Sequence, residues 1–379
     1  MKSWPTKKLG EISKIRMGET LIKKDLTGDG VPVYSADSLE KPWGFTSKNK
    51  LEFSRGAIIV GARGTLGSVK LPDDTLFTST QTTIILSPQQ KTVIPAFLFY
   101  YLRKVDFKKL RGGSGIPMLT VTRLNDLQIP FPPPSEQKKI VYILDSIQDV
   151  IRAQEKIIEK TKELKKSLLN EIFNSEIKNQ KWTKLGNMDY FEIKLGGTPK
   201  TNVAEYWNGK IYWITPNDLN KLHSQYISNT ERKITQKGLN AGSTLLTAGS
   251  IILSTRAPIG YLAILNEDMA FNQGCKGIVI KKPNEVSNLY LFYYLSTQIS
   301  KLKELGSGST FRELSTSDLE QFSIPLANIT QQHEIADILQ TIDQKIEIER
   351  KKKALYEELF KTMLNKLMTG EIRVDNLKL

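Results

Sequence analysis

The chain has 379 residues, room for two or three domains, and its 39% hydrophobic content is enough to build real cores. A net charge of +14 and a pI near 9.5 point to an anionic partner, nucleic acid first. A single cysteine, Cys275, excludes an internal disulfide, and His223 and His333 beside it leave too few ligands for a Cys/His zinc site. Cys275 therefore reads as a small packed residue. The opening "MKSWPTKKLG" lacks the apolar core of a signal peptide, and no run approaches a membrane span, so the expected location is cytoplasmic.

In chain order, short apolar runs such as "GAIIVGA" and "TTIIL" read as strands, with Gly, Pro, Asn and Asp between them. In Ile58 to Val69, "IIVGARGTLGSV", an apolar strand runs into Arg63, turns on Gly64 and Gly67, and returns to apolar residues. "AFLFYYLRK" (Ala96 to Lys104) reads as a short buried helix, and "RGGSG", from Arg111 through Ser114, as a loop. A long helix then starts near Pro134 and Ser135. It carries Ile140, Leu144, Ile147, Ile151, Ile158, Leu168 and Ile172 at three-four spacing, broken by Gln154, Thr161 and Lys165.

The second half repeats the first. "TKLGNM" (Thr183 to Met188) echoes "KKLGEI" (Lys7 to Ile12), and "IYWITPNDL" (Ile211 to Leu219) echoes "VPVYSADSL" (Val31 to Leu39). "ILSTRAPIGYLA" (Ile252 to Ala263) again stops an apolar strand for one arginine, Arg256, which lies 193 residues after Arg63. "LYLFYYLST" (Leu289 to Thr297) repeats the buried helix, and "LGSGSTFRELSTSDLEQFSIPL" (Leu305 to Leu326) repeats "RGGSGIPMLTVTRLNDLQIPFP". A second long helix, with Thr330 as its expected N-cap and Gly370 as its stop, carries Ile335, Leu339, Ile342, Ile346, Tyr356, Phe360, Met363 and Leu367, broken by Glu349 and Lys353.

These stripes form coiled-coil seams with charged outer faces. Each helix is about 60 Å long at ~1.5 Å per residue, and neither stripe can be left in water. The expected fold is α+β: two globular mixed α/β domains related by an internal repeat, and two long helices packed as an antiparallel coiled coil. The expected segments are 1–134, 135–178 (helix), 179–329 and 330–379 (helix). The shared polar breaks Gln154 and Glu349, 195 residues apart, either fix register or mark a less buried stretch.

Two basic, non-identical domains on a helical spacer suit an asymmetric, bipartite DNA site. Burying an unpaired guanidinium is costly, so Arg63 and Arg256 either face DNA, reading guanine or gripping phosphate, or pair with a carboxylate that locks the turn. Their recurrence favours DNA. Gln81 and Gln273 are adenine readers or structural hydrogen bonders. Lys276, Arg123 and Arg312 are candidate phosphate contacts. Arg111 and Ser114, and Ser307 and Ser309, sit in Gly-Ser segments that offer backbone N–H groups to phosphate, or are plain loops. Tyr34 and Trp213 are expected to pack. "LPDDT" (Leu71 to Thr75) reads as an acidic turn, and the chain has no Asn-Pro-Pro-Tyr, P-loop or HExxH motif.

Taken together, "STRAPIGYLAI", "FNQGCKGIVI", "IYWITPNDL", "QIPFPPPSEQKKIVYILDSI" and "FSIPLANITQQHEIADILQTID" resemble the specificity subunit of type I restriction-modification systems, over nearly the whole chain. "GARGTLGS", at the first arginine turn, departs from the "TRAPIG" wording. The resemblance implies two target-recognition domains, each reading half of a split sequence, and helices that dock two methyltransferase (modification) subunits and then two restriction/translocase subunits. It also implies that this chain does no chemistry and holds no cofactor. S-adenosylmethionine, ATP and Mg would belong to the partners, which methylate adenine N6 and translocate and cut DNA. A stand-alone bipartite DNA-binding regulator and a coiled-coil scaffold are the competing readings.

Overall fold

A computed structural model describes residues 4–110, 118–175, 180–222, 224–256, 258–306 and 313–375. The chain divides into two compact units, Met1–Glu155 with Lys351–Leu379, and Lys156–Arg350. Each unit contains part of both long helices, Pro134–Ser175 and Ile329–Thr369.

The repeat is realised strand for strand. In the first unit an antiparallel sheet runs in the order Ser13–Met17, Thr83–Pro88, Ile58–Gly61 and Val69–Lys70. The second unit matches it with Phe191–Leu195, Cys275–Ile280, Ile251–Ser254 and Leu262–Leu265, and adds Tyr226–Ile227 in parallel at the edge. A second sheet in each unit contains one parallel pair: Val31–Tyr34 beside Leu76–Ser79, and Trp207–Ile214 beside Met269–Phe271. A two-stranded ribbon, Thr6–Lys8 with Gln128–Pro130 or Lys181–Lys184 with Ser323–Leu326, closes each domain next to the start of a long helix. The central strands are buried on both faces, which explains their unbroken apolar runs.

Within the first unit, Ile140, Leu144 and Ile151 of the first long helix share a core with Phe360, Leu367 and Met368 of the second. Within the second unit, Leu168, Ile172 and Phe173 share one with Ile335, Ala336 and Leu339. The start of one helix thus packs on the end of the other, so the pair is antiparallel. Two of the polar breaks make ion pairs across the seam: Lys353 to Glu155 at 2.9 Å in the first unit, and Lys165 to Asp343 at 2.6 Å in the second. Of the polar breaks, Glu349 is buried and meets Lys345 at 3.5 Å, and the side-chain oxygen of Gln154 is buried as well. Neither break is therefore an exposed residue of its own unit.

The second long helix opens two residues earlier than a Thr330 cap would set it. Asn328 Oδ1, not Thr330, accepts the free Gln331 N–H at 2.9 Å, because an Asn side chain just before the first turn reaches that donor. Gly370 ends the helix with φ +72°, as its position predicts.

Tyr34 and Trp213 pack. Tyr34 lies edge-on to Phe77 and donates to Asp74 at 2.6 Å. Trp213 lies edge-on to Trp207, and the Arg232 guanidinium sits 3.7 Å from the Trp207 ring centre. Burial pushes the Cys275 thiol up to about 12, which keeps it protonated and inert.

Candidate nucleic-acid interface

The two arginine turns are built alike. Arg63 follows the strand Ile58–Gly61, and Arg256 follows Ile251–Ser254. The backbone N–H of each donates across to a neighbouring turn, Arg63 to Thr82 O at 3.1 Å and Arg256 to Gly274 O at 3.3 Å. Each turn then reverses on a glycine in a backbone region that favours only glycine, Gly67 at φ +77° and Gly260 at φ +109°. A Cβ there would also lie 2.7 Å from the Phe107 ring or 2.6 Å from Ile299. The hairpin is therefore tight, and it leaves the arginine side chain outside: both Arg63 and Arg256 are exposed.

A returning segment buttresses each arginine. Leu119 N–H donates to Ala62 O at 3.1 Å, and Leu314 N–H donates to Thr255 O at 2.9 Å. The residue before each leucine then meets the guanidinium. Arg63 Nε donates to Met118 Sδ at 2.9 Å, and Arg256 Nε donates to Glu313 Oε2 at 3.1 Å. Met118 and Glu313 are 195 residues apart and so occupy corresponding positions. Arg256 thus has the carboxylate partner that the alternative reading required, but the pair uses only its Nε proton and half of each side chain stays in solvent.

Lys276 differs from its expectation as a phosphate contact. Its side chain is 4% exposed, and Nζ donates inward to Leu314 O at 2.6 Å and to Thr255 Oγ1 at 3.4 Å. The strand Cys275–Ile280 is covered on both faces where Lys276 sits, so the amine must bond within the protein. Burial, opposed by the Glu313 carboxylate, holds its pKa below the ordinary lysine value. Nζ lies 3.8 Å from Glu313 Oε1. Arg256, Gln273, Lys276 and Glu313 line one open cleft of about 450 Å³.

The remaining candidates fall in different places. Gln81 is half-buried and its Oε1 accepts Leu21 N–H at 3.2 Å, the structural role allowed for it. Gln273 is exposed and accepts from Thr198 Oγ1. Arg123 is exposed on the short helix Val121–Asn125 and donates to Leu110 O at 3.0 Å. Its counterpart 195 residues on is Asp318, so this contact belongs to the first unit only. Arg111, Ser114, Ser307, Ser309 and Arg312 lie outside the described residues. The acidic turn of "LPDDT" is structural, with Asp74 accepting from Tyr34 and Asp73 O accepting from Arg55 Nε at 2.7 Å.

Glu313 is the site residue that the sequence reading passed over. Its signal was its correspondence with Met118, a carboxylate placed where the other half has a thioether. Among the described residues no group of three or more His, Cys, Asp or Glu is placed to hold a metal ion, and no helix is long and apolar enough to cross a membrane.

The family described as "type I restriction modification DNA specificity domain" matches the chain twice, at residues 1–163 and 179–358. The chain is 29% identical over 350 residues to the type I restriction enzyme MjaVIII specificity subunit of Methanocaldococcus jannaschii, covering 85% of this chain and 77% of that one. It is 39% identical over 178 residues to the MjaIX specificity subunit of the same organism, covering 46% and 41%. The crystal structure of the type I restriction-modification system S subunit from M. genitalium shares the fold, with a TM-score of 0.62 at 20% identity over 96% of each chain.

Proposed function

The chain belongs to the family of type I restriction-modification DNA specificity domains, and on that premise we propose how it reads DNA. Its function is DNA sequence specificity within a restriction-modification complex. Each unit reads one part of a split, asymmetric site. The observation that carries this is the duplicated turn: in a chain of net charge +14, each unit ends a buried strand with one exposed, buttressed arginine. The surroundings of the two arginines differ, so the two half-sites differ.

The chain itself is non-catalytic in this reading. The partners are methyltransferase subunits that methylate adenine N6 with S-adenosylmethionine, and restriction subunits that use ATP and Mg. The long helices offer them apolar side chains left in solvent, including Tyr142 and Leu355 in the first unit and Leu164 and Ile338 in the second.

The adenine methylome of the host, with and without this gene, tests the reading. Deletion is expected to erase one split, asymmetric methylated motif, and survival of every motif would count against it. Binding of the full chain to a duplex carrying that motif is expected to fall steeply between 50 and 200 mM salt, on the order of 10³-fold for about six phosphate contacts. A flat salt response would instead favour the scaffold reading. Arg256→Ala is expected to relax one position of one half-site at a cost of about 1–3 kcal/mol. A uniform loss across all sequences would make Arg256 a phosphate contact.

A further inference from the structure

We infer that Glu313 is a specificity-determining residue of the second unit: with Arg256 it reads a single G·C pair in the major groove. The guanidinium would donate to guanine O6 and N7, and the carboxylate would accept from cytosine N4. This inference rests on the DNA-reading role proposed above.

Three observations carry it. First, the Arg256–Glu313 pair engages only Nε, at 3.1 Å, which leaves the forked terminal amines of Arg256 for a ligand. Second, a half-exposed carboxylate at that distance opposes a phosphate approaching Arg256, so the pair is poorly suited to gripping backbone. A base edge that presents acceptors beside a donor suits it, and among base edges in the major groove the G·C pair offers guanine N7 and O6 next to cytosine N4. Third, the charges are placed as a set. Where the second unit has Arg256, Glu313 and buried Lys276, the first has Arg63, Met118 and fully buried Ile84 at the corresponding positions. The Lys276 ammonium, 3.8 Å from Glu313 Oε1, balances the carboxylate from beneath. A residue that only had to tether Nε needs no charge, as Met118 demonstrates.

The test is selection from a randomised duplex DNA library by the full chain, followed by sequencing, for the parent and for Glu313→Gln. The glutamine keeps an acceptor for Arg256 Nε but is no longer an anion. The parent is expected to fix a G·C pair at one position of one half-site. Glu313→Gln is expected to lower that preference about tenfold or more, with the other positions unchanged. An unchanged motif would overturn the proposal and leave Glu313 as a tether. So would an unchanged motif with stronger overall binding and a salt slope steeper by about one, which would make Glu313 a mere attenuator of Arg256. If the parent selects no sequence, the DNA reading fails before Glu313 is tested. Glu313→Met, which gives Arg256 the same thioether that Arg63 has, provides the second measurement should Glu313→Gln not fold. It is expected to lose the G·C preference at that position, and a retained preference would overturn the proposal.

Discussion

Glu136→Gln is expected to lower the unfolding temperature of the first unit by on the order of 10 °C, measured by calorimetry on the full chain. Glu136 opens the first long helix and is 2% exposed. Its Oε1 accepts from Arg373 Nε at 2.7 Å and from Val374 N at 3.4 Å, and its Oε2 accepts from Arg373 Nη2 and Trp4 Nε1, both at 3.0 Å. One carboxylate therefore ties together Trp4, a helix start and the segment after the second long helix. Removing its charge leaves the Arg373 guanidinium, itself largely covered, facing an amide beside the Trp4 ring. A buried ion pair is costly to break from one side, although replacing both partners by apolar residues is often tolerated. Glu136→Met with Arg373→Leu is accordingly expected to recover only part of the loss, because it removes the lone guanidinium but leaves Trp4 Nε1 and Val374 N without their acceptor. A Glu136→Gln chain that melts with the parent would show that the clasp adds little.

The architecture was legible because its signals are periodic. From the arginine turns onward the repeat shows as an offset of 193 to 195 residues that hardly drifts, and the helix seam recurs every three or four residues from Ile140 and again from Ile335. The arginine turns were legible because an apolar strand admits a guanidinium only where it can leave the core. What stayed hidden depends on contacts distant in sequence. Glu313 reaches Arg256 only because Leu314 N–H bonds Thr255 O, 59 residues back. Nothing local in "FRELS" announces that pairing. Lys276 looked like a phosphate contact because lysine in a basic chain reads as surface. The burial of Cys275, Gly277 and Ile278 around it turns it inward instead. Helix starts misled for a third reason: Asn328 and Thr330 are both good caps, and backbone geometry chose between them.

Gln332→Leu is expected to cost the second unit about 3–5 kcal/mol, seen as a drop in its calorimetric transition. Gln332 lies in the first turn of a polar helix start, yet it is fully buried. Its Oε1 accepts Ser287 N–H at 2.9 Å, and its Nε2 donates to Glu285 O at 2.9 Å and Ala327 O at 2.8 Å. Leucine fills the same space and leaves one N–H and two carbonyls without partners in an apolar setting. Each costs about 1–3 kcal/mol, and partial relaxation keeps the total below the sum. Ser287 also caps the buried helix Asn288–Thr297, so the loss loosens two helix starts together. Gln137, 195 residues earlier, makes the same bonds to Ile94 N, Thr92 O and Pro132 O. Gln137→Leu should therefore lower the first unit's transition by a similar amount, and the double variant should lower both with near-additive effects. A parent-like melting curve for either single variant would mean that nearby groups or water replace the amide. Matching losses would identify the domain-to-helix joint as the chemistry the two halves share, in contrast to the neighbours of Arg63 and Arg256, where they diverge.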